Sequence, residues 1–204
     1  MSQITYTKLS HGVSWILHPF ILPLYMMLVL LFHTAFAYYP ANVKIYLAWV
    51  VMLYALIIPL LALGVLHSLG RISDYRIDIP KERMLPLLIG VVCYLLCAIT
   101  IAKIPSAIFL RKFMLAAACC ELMCLIVNHY WKISLHLTAI GAVVALFVVM
   151  NIAGGQLLWP LMIAVLCAGL LASARLYLGC HNGTQVFAGF FGGFIVAILA
   201  VLFL

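Results

Sequence analysis

The chain has 204 residues, 69% of them hydrophobic and 7% charged, with a mean hydropathy of +1.30. A water-soluble domain of this size carries about 25% charged residues, so there is too little polar side chain to coat a globule in water, and the composition specifies an integral membrane protein. The net charge of +7 comes from eleven cations, offset by four acids, scattered over several loops without a basic stripe, which excludes a nucleic-acid footprint and leaves topology, anionic lipid or a binding site as their uses.

Taken in chain order, the oily stretches predict seven membrane-spanning helices, at about 13–37, 45–68, 85–103, 110–129, 133–151, 157–178 and 183–204. Apolar runs of roughly 20 residues suit helices, and the alternation of a β-barrel strand is missing. The expected fold class is all-α, a polytopic transmembrane helix bundle of six to seven spans, with residues 1–204 forming one domain. The first span contains His18-Pro19 and Pro23 and is expected to be kinked or to start late. The fourth has Glu121 in its middle, and a carboxylate there should face the bundle and pair with a polar or basic group. Tyr38, Tyr39, Trp49, Trp131 and Trp159 lie near span ends, as interfacial anchors do. Gly189 and Gly193 in "GFFGG" form a small-xxx-small pair that favours close helix packing. The seven cysteines sit mostly in oily segments and read as packing residues rather than a disulfide framework or zinc site. No cleavable signal peptide is expected, because the first oily stretch is long and has no clear small-residue cleavage site.

If all seven spans cross, three polar segments share one membrane face: "RISDYRIDIPKERMLP", "YWKISLH" and "ARLYLGCHNGTQ". Arg76 and Arg83 are seven apart, which on a helix returns a side chain to one face, although Pro80 is equally suited to begin a new helix. Ser134 and His136 stand at the start of the fifth span. The free N–H groups and positive dipole end there suit a phosphate, and the Ser134 hydroxyl is placed either to cap the helix or to donate to a ligand. Arg175 ends the sixth span, and Gly179 permits a turn. His181 and Gln185, four apart, fall on one face of the seventh span, so that Gln185 can accept from one ring nitrogen and leave the other free to attack. Arginines that neutralise phosphate oxygens, one neutral histidine to attack phosphorus and another to protonate the leaving oxygen are the parts that phosphoryl transfer needs. Each segment alone also reads as an ordinary basic loop or helix cap. A haem site would need paired histidines, and His18, His33 and His67 show no matching partners in the sequence.

The three segments resemble the signatures of the type 2 phosphatidate phosphatase superfamily, K-x6-R-P, P-S-G-H and S-R-x5-H-x3-D. Here they read R-x6-R-M from Arg76, I-S-L-H from Ile133 and A-R-x5-H-x3-Q from Ala174 to Gln185. The likeness covers about residues 70–195 and is similar to a bacterial membrane branch with variant motifs. It implies His181 as nucleophile forming a phosphohistidine, His136 as general acid, and Arg76, Arg83, Ser134 and Arg175 as phosphate ligands. It implies a lipid phosphate or polyprenyl diphosphate as substrate, the bacterial inner (cytoplasmic) membrane as location, and no metal or organic cofactor. The partners expected are membrane lipid and a phosphorylated lipid, with no nucleic acid. Lysine has become Arg76, proline has become Met84 and glycine has become Leu135. Above all, aspartate has become Gln185, so a neutral amide replaces the carboxylate that orients the nucleophilic histidine. Two functions therefore stand side by side: a phosphoric monoester or diphosphate hydrolase with a His–Gln pair, and a non-catalytic relative that binds a phosphorylated head group. Cation counting does not orient the chain. The motif face carries Lys8, Arg71, Arg76, Lys81, Arg83, Lys132 and Arg175 against Lys44, Lys103, Arg111 and Lys112, and setting aside the three phosphate-ligand arginines leaves four on each side.

Overall fold

The computed structural model describes residues 3–75, 77 and 79–204. Among them all regular structure is helical: α1 (Gln3–Ile16), α2 (Leu22–His33), α3 (Ala41–Met52), α4 (Ile58–Ser68), α5 (Met84–Ile101), α6 (Ile108–Tyr130), α7 (Leu135–Ile152), α8 (Leu158–Tyr177) and α9 (Gly183–Phe203). Among the described residues, five helices are long and apolar enough to cross a membrane: Ala41–Ser68, Pro80–Ile101, Leu135–Ile152, Leu158–Tyr177 and Gly183–Phe203.

The expected first span, 13–37, is not one helix. The chain leaves α1 at Leu17, turns through His18-Pro19 and starts α2 at Leu22 with Pro23 in its first turn. A proline restricts the residue before it and has no N–H to donate, so two prolines four residues apart stop one helix and start the next. Pro59 acts more gently. Its ring would collide with the carbonyl four residues earlier, and the chain accommodates it with a π turn at Leu53–Ile57, where Ile58 N–H donates to the Leu53 carbonyl. Residues 41–68 thus remain one continuous span.

α7 and α9 run parallel, and glycines set their separation. A Cβ on Gly189 would lie 2.7 Å from the Ser134 carbonyl oxygen; one on Gly193 would overlap the Thr138 carbonyl, and one on Gly141 the Phe190 carbonyl. The backbones approach as closely as the small-xxx-small pattern predicts. α6 joins them through thiols, Cys124 Sγ–H to Thr138 Oγ1 at 3.4 Å and Cys120 Sγ–H to the Gly193 carbonyl at 3.5 Å. All seven cysteines are free, four of them buried.

Hydrogen bonds fix which helix ends lie together. At one face Asn128 Nδ2 donates to the Pro80 carbonyl at 2.8 Å, and the His136 ring meets the Ser14 carbonyl at 3.2 Å. At the other, Tyr39 Oη–H donates to Ser106 O at 2.7 Å, and Lys112 Nζ to Val201 O at 2.8 Å. The starts of α5, α7 and α9 and the ends of α6 and α8 therefore share the first face.

Candidate functional site

One cavity opens among these helix ends. Arg83, His136, Arg175 and His181 line it, together with His18 and Tyr75. Leu22, Leu87, Phe113, Ala117, Ala142 and Val143 form its deeper wall. Its interior volume is about 160 Å³, and the whole cleft with its open mouth spans about 1130 Å³. Polar groups thus ring the opening, and the depth is mostly hydrocarbon, with Tyr94, Glu121 and Thr138 also on its wall.

Arg83 reaches the cavity from the turn Pro80–Arg83, which Pro80 starts and which runs straight into α5. The chain ahead of it is not helical at Ile72–Tyr75, Ile77 or Ile79, so the two-turn helical relation to residue 76 does not apply. Arg76 itself lies outside the described residues. Only 5% of Arg83 is exposed. Its Nε donates to the Ile77 carbonyl at 2.6 Å and Nη1 to the Ile133 carbonyl at 3.5 Å. Ile77 has φ 46, a left-handed conformation costly for a β-branched residue, and Arg83 is what ties that carbonyl in place.

Arg175 stands in the last turn of α8, where a cation complements the helix dipole. Its Nε is buried with no hydrogen-bond partner among the described residues. Ser134 is the N-cap residue of α7, but its hydroxyl makes no capping bond. It is 0% exposed and its Oγ has no partner among the described residues. It does not line the cavity with the arginines and histidines. The capping use expected for this hydroxyl is absent, and Gly189 of α9 packs closely against the Ser134 carbonyl and Cβ.

The two histidines are held by opposite ring atoms. His181 is 7% exposed, and its Nδ1 lies 3.2 Å from Gln185 Oε1. An amide oxygen only accepts, so Nδ1 carries the hydrogen and Nε2 keeps its lone pair. Burial, and then the charge of Arg175, hold the His181 pKa down at about 4, which keeps the ring neutral near pH 7. Gln185 Oε1 also accepts from Asn182 N–H at 3.1 Å, while Asn182 Oδ1 accepts from Gln185 N–H at 2.9 Å. This is a capping box at the start of α9. One oxygen with two lone pairs closes the helix end and fixes the histidine tautomer. His136 meets the carbonyl of Ser14 through Nε2. A carbonyl only accepts, so Nε2 carries the hydrogen, and Nδ1 is the atom left for proton exchange with a ligand.

One participant is not evident from the sequence. His18 does have a partner: its ring stands edge-on to His136 with centroids 5.2 Å apart. Its Nδ1 accepts from Phe20 N–H at 3.3 Å. The only local signal is the proline after it, which breaks the helix and turns the ring inward. Glu121 also lines the cavity, deep on α6, so it does face the bundle. The polar partner expected for it is missing among the described residues, where Oε2 is buried and unbonded.

No family model matches the chain, and neither does any curated protein or solved structure.

Proposed function

We propose that this is a multi-pass hydrolase of a lipid phosphate or polyprenyl diphosphate in the bacterial inner membrane, working through a phosphohistidine on His181. The observation that carries the proposal is that Arg83, His136, Arg175 and His181 line one cavity with a polar mouth and an apolar depth. Such a cavity suits an anionic head group with a hydrocarbon tail.

In this mechanism Arg83 and Arg175 neutralise the phosphate oxygens, with Arg76 as a third cation from the same motif. His181 Nε2 attacks phosphorus, the bond from phosphorus to the leaving oxygen breaks, and His136, entering this step as the imidazolium with Nε2–H still on the Ser14 carbonyl, gives that oxygen its Nδ1 proton and is left neutral. Water then attacks the phosphohistidine, gives its proton to His136, and inorganic phosphate leaves. We propose seven crossings, two more than the helices that are long and apolar enough by themselves among the described residues. α6 has 23 residues, about 35 Å of helix. α2, with the turn after it, carries the chain from the cavity to the face where Tyr39 bonds Ser106.

A second function, binding a phosphorylated head group without turnover, is favoured by one feature. The group orienting His181 is a neutral amide already engaged in the capping box, and in a Ser-His-Asp triad the Asp→Asn change lowers kcat by about 10⁴. Phosphate release by the detergent-purified protein, measured on phosphatidate, phosphatidylglycerophosphate and a polyprenyl diphosphate, separates the two. Release that is lost in His181→Ala supports the hydrolase. Tight binding with no release above that variant supports the head-group binder.

A further inference from the structure

The histidines and arginines at the mouth do not account for the depth of the cavity, where Glu121 stands. α6 ends at the face where α7 begins, and the Cys124–Thr138 contact matches their levels. Glu121 is three residues deeper than Cys124, and Thr138 is two deeper than His136. At 1.5 Å per residue the carboxyl lies about 7–8 Å below the His136 level.

The bundle makes room for it. A Cβ on Gly90 of α5 would overlap Oε1, Cδ and Oε2 of Glu121, so the carboxyl occupies the space that glycine leaves. Its neighbours on the cavity wall are Tyr94, Cys120, Cys124 and Ala117. None of them bonds Oε2. A buried polar atom without a partner is costly, and ionisable side chains inside membranes mark ligand paths.

The geometry points to Glu121, as the protonated carboxyl, as a second binding group of this cavity, donating a hydrogen bond to an ester or amide carbonyl or a hydroxyl oxygen in a ligand whose phosphate is held at the arginine–histidine mouth. This rests on the phosphate site proposed above. An extended chain advances roughly 1.2 Å per bond, which places the interior polar group about six bonds from phosphorus. Acylated glycerol phosphates carry a carbonyl near that position. A plain alkyl or prenyl phosphate offers only hydrocarbon there and leaves the carboxyl unsatisfied.

Binding to the full-length protein in detergent tests this with two phosphonates, whose C–P bonds cannot be hydrolysed: the analogue of dodecyl phosphate and that of 1-dodecanoylglycerol 3-phosphate. Glu121→Leu is expected to weaken the acylglycerol probe by roughly 3- to 10-fold, the worth of one hydrogen bond, and to leave the alkyl probe within about twofold. Glu121→Gln, which keeps shape and hydrogen bonding, should bind both probes like the parent. Gly90→Ala displaces the carboxyl without removing it and should reproduce the selective loss. Equal losses for both probes, or no loss for either, in both Glu121→Leu and Gly90→Ala overturn the role of Glu121. The phosphate site stands in that case if the parent binds both probes and Arg175→Ala binds neither. A parent that binds neither probe overturns the phosphate site and this inference with it.

Discussion

Gln185 does two things with one atom, and that decides how its chemistry is best tested. Its Oε1 accepts from His181 Nδ1–H and from Asn182 N–H. Aspartate, the residue of the resembling signature, is one methylene shorter and gives up reach to one of these donors. Glutamate keeps the length of glutamine and adds the charge. Gln185→Glu should therefore raise turnover of a lipid phosphate about 10-fold or more over the parent, Gln185→Asp should raise it less, and Gln185→Ala should lower it. Steady-state kcat for the three variants in one detergent checks the order. The low pKa of His181, about 4, sets a second expectation. Only the neutral ring attacks phosphorus, so kcat/KM, which reports the free enzyme, should lose His181 only as pH falls through about 4, well below the ordinary histidine value near 6.5. In Gln185→Glu the added charge favours the imidazolium, and that acid limb should move upward; a pH profile of both proteins measures it. The His181–Gln185 contact is legible from helical spacing alone. The capping box is written in the same stretch as Asn182-x-x-Gln185, an Asn-x-x-Gln pattern at a helix start. His18 could not be placed in this way, because 118 positions separate it from the ring it meets.

At the scale of helices, glycines on α7 and α9 bring the backbones together and so place His136 beside the mouth that His181 closes. Gly193→Ala puts a methyl into the Thr138 carbonyl, against backbone that cannot rotate away. It should cost about 1–3 kcal/mol or more and lower the melting temperature of the purified protein. Gly169→Ala, on α8 with nothing within 4 Å of the added carbon, should be neutral or stabilising by up to about 1 kcal/mol. The long apolar helices from 41 onward are legible because a span of roughly 20 oily residues has few alternatives in a bilayer. In the stretch 13–37 the two prolines mark the late start at Leu22, whereas the residues from 13 to 16 belong to a separate helix, because hydropathy passes smoothly over Pro19 while the backbone does not. Arg83 is reached for a similar reason by a route other than the helical periodicity from Arg76: Pro80 starts a fresh turn.

Across the whole molecule, one cavity draws its polar rim from segments that are far apart in the chain: the α1–α2 break, the start of α5, the start of α7 and the α8–α9 turn. Shared sidedness is legible from the alternation of spans, and the asparagine and histidine bonds at that face agree with it. The apolar depth was not legible, since leucine, valine and alanine lining a cavity look the same in sequence as those facing lipid. Phosphotransfer to His181 distinguishes a hydrolase from a head-group binder most directly. The purified protein is mixed with a lipid phosphate labelled on phosphorus, quenched in base within a turnover, digested and analysed for phosphorylated peptides. The expected result is a base-stable, acid-labile phosphoryl group on the peptide containing His181, absent from His181→Ala. Phosphate released by the parent with no label ever found on His181, or no release and no label while the lipid binds tightly, would contradict His181 as the nucleophile.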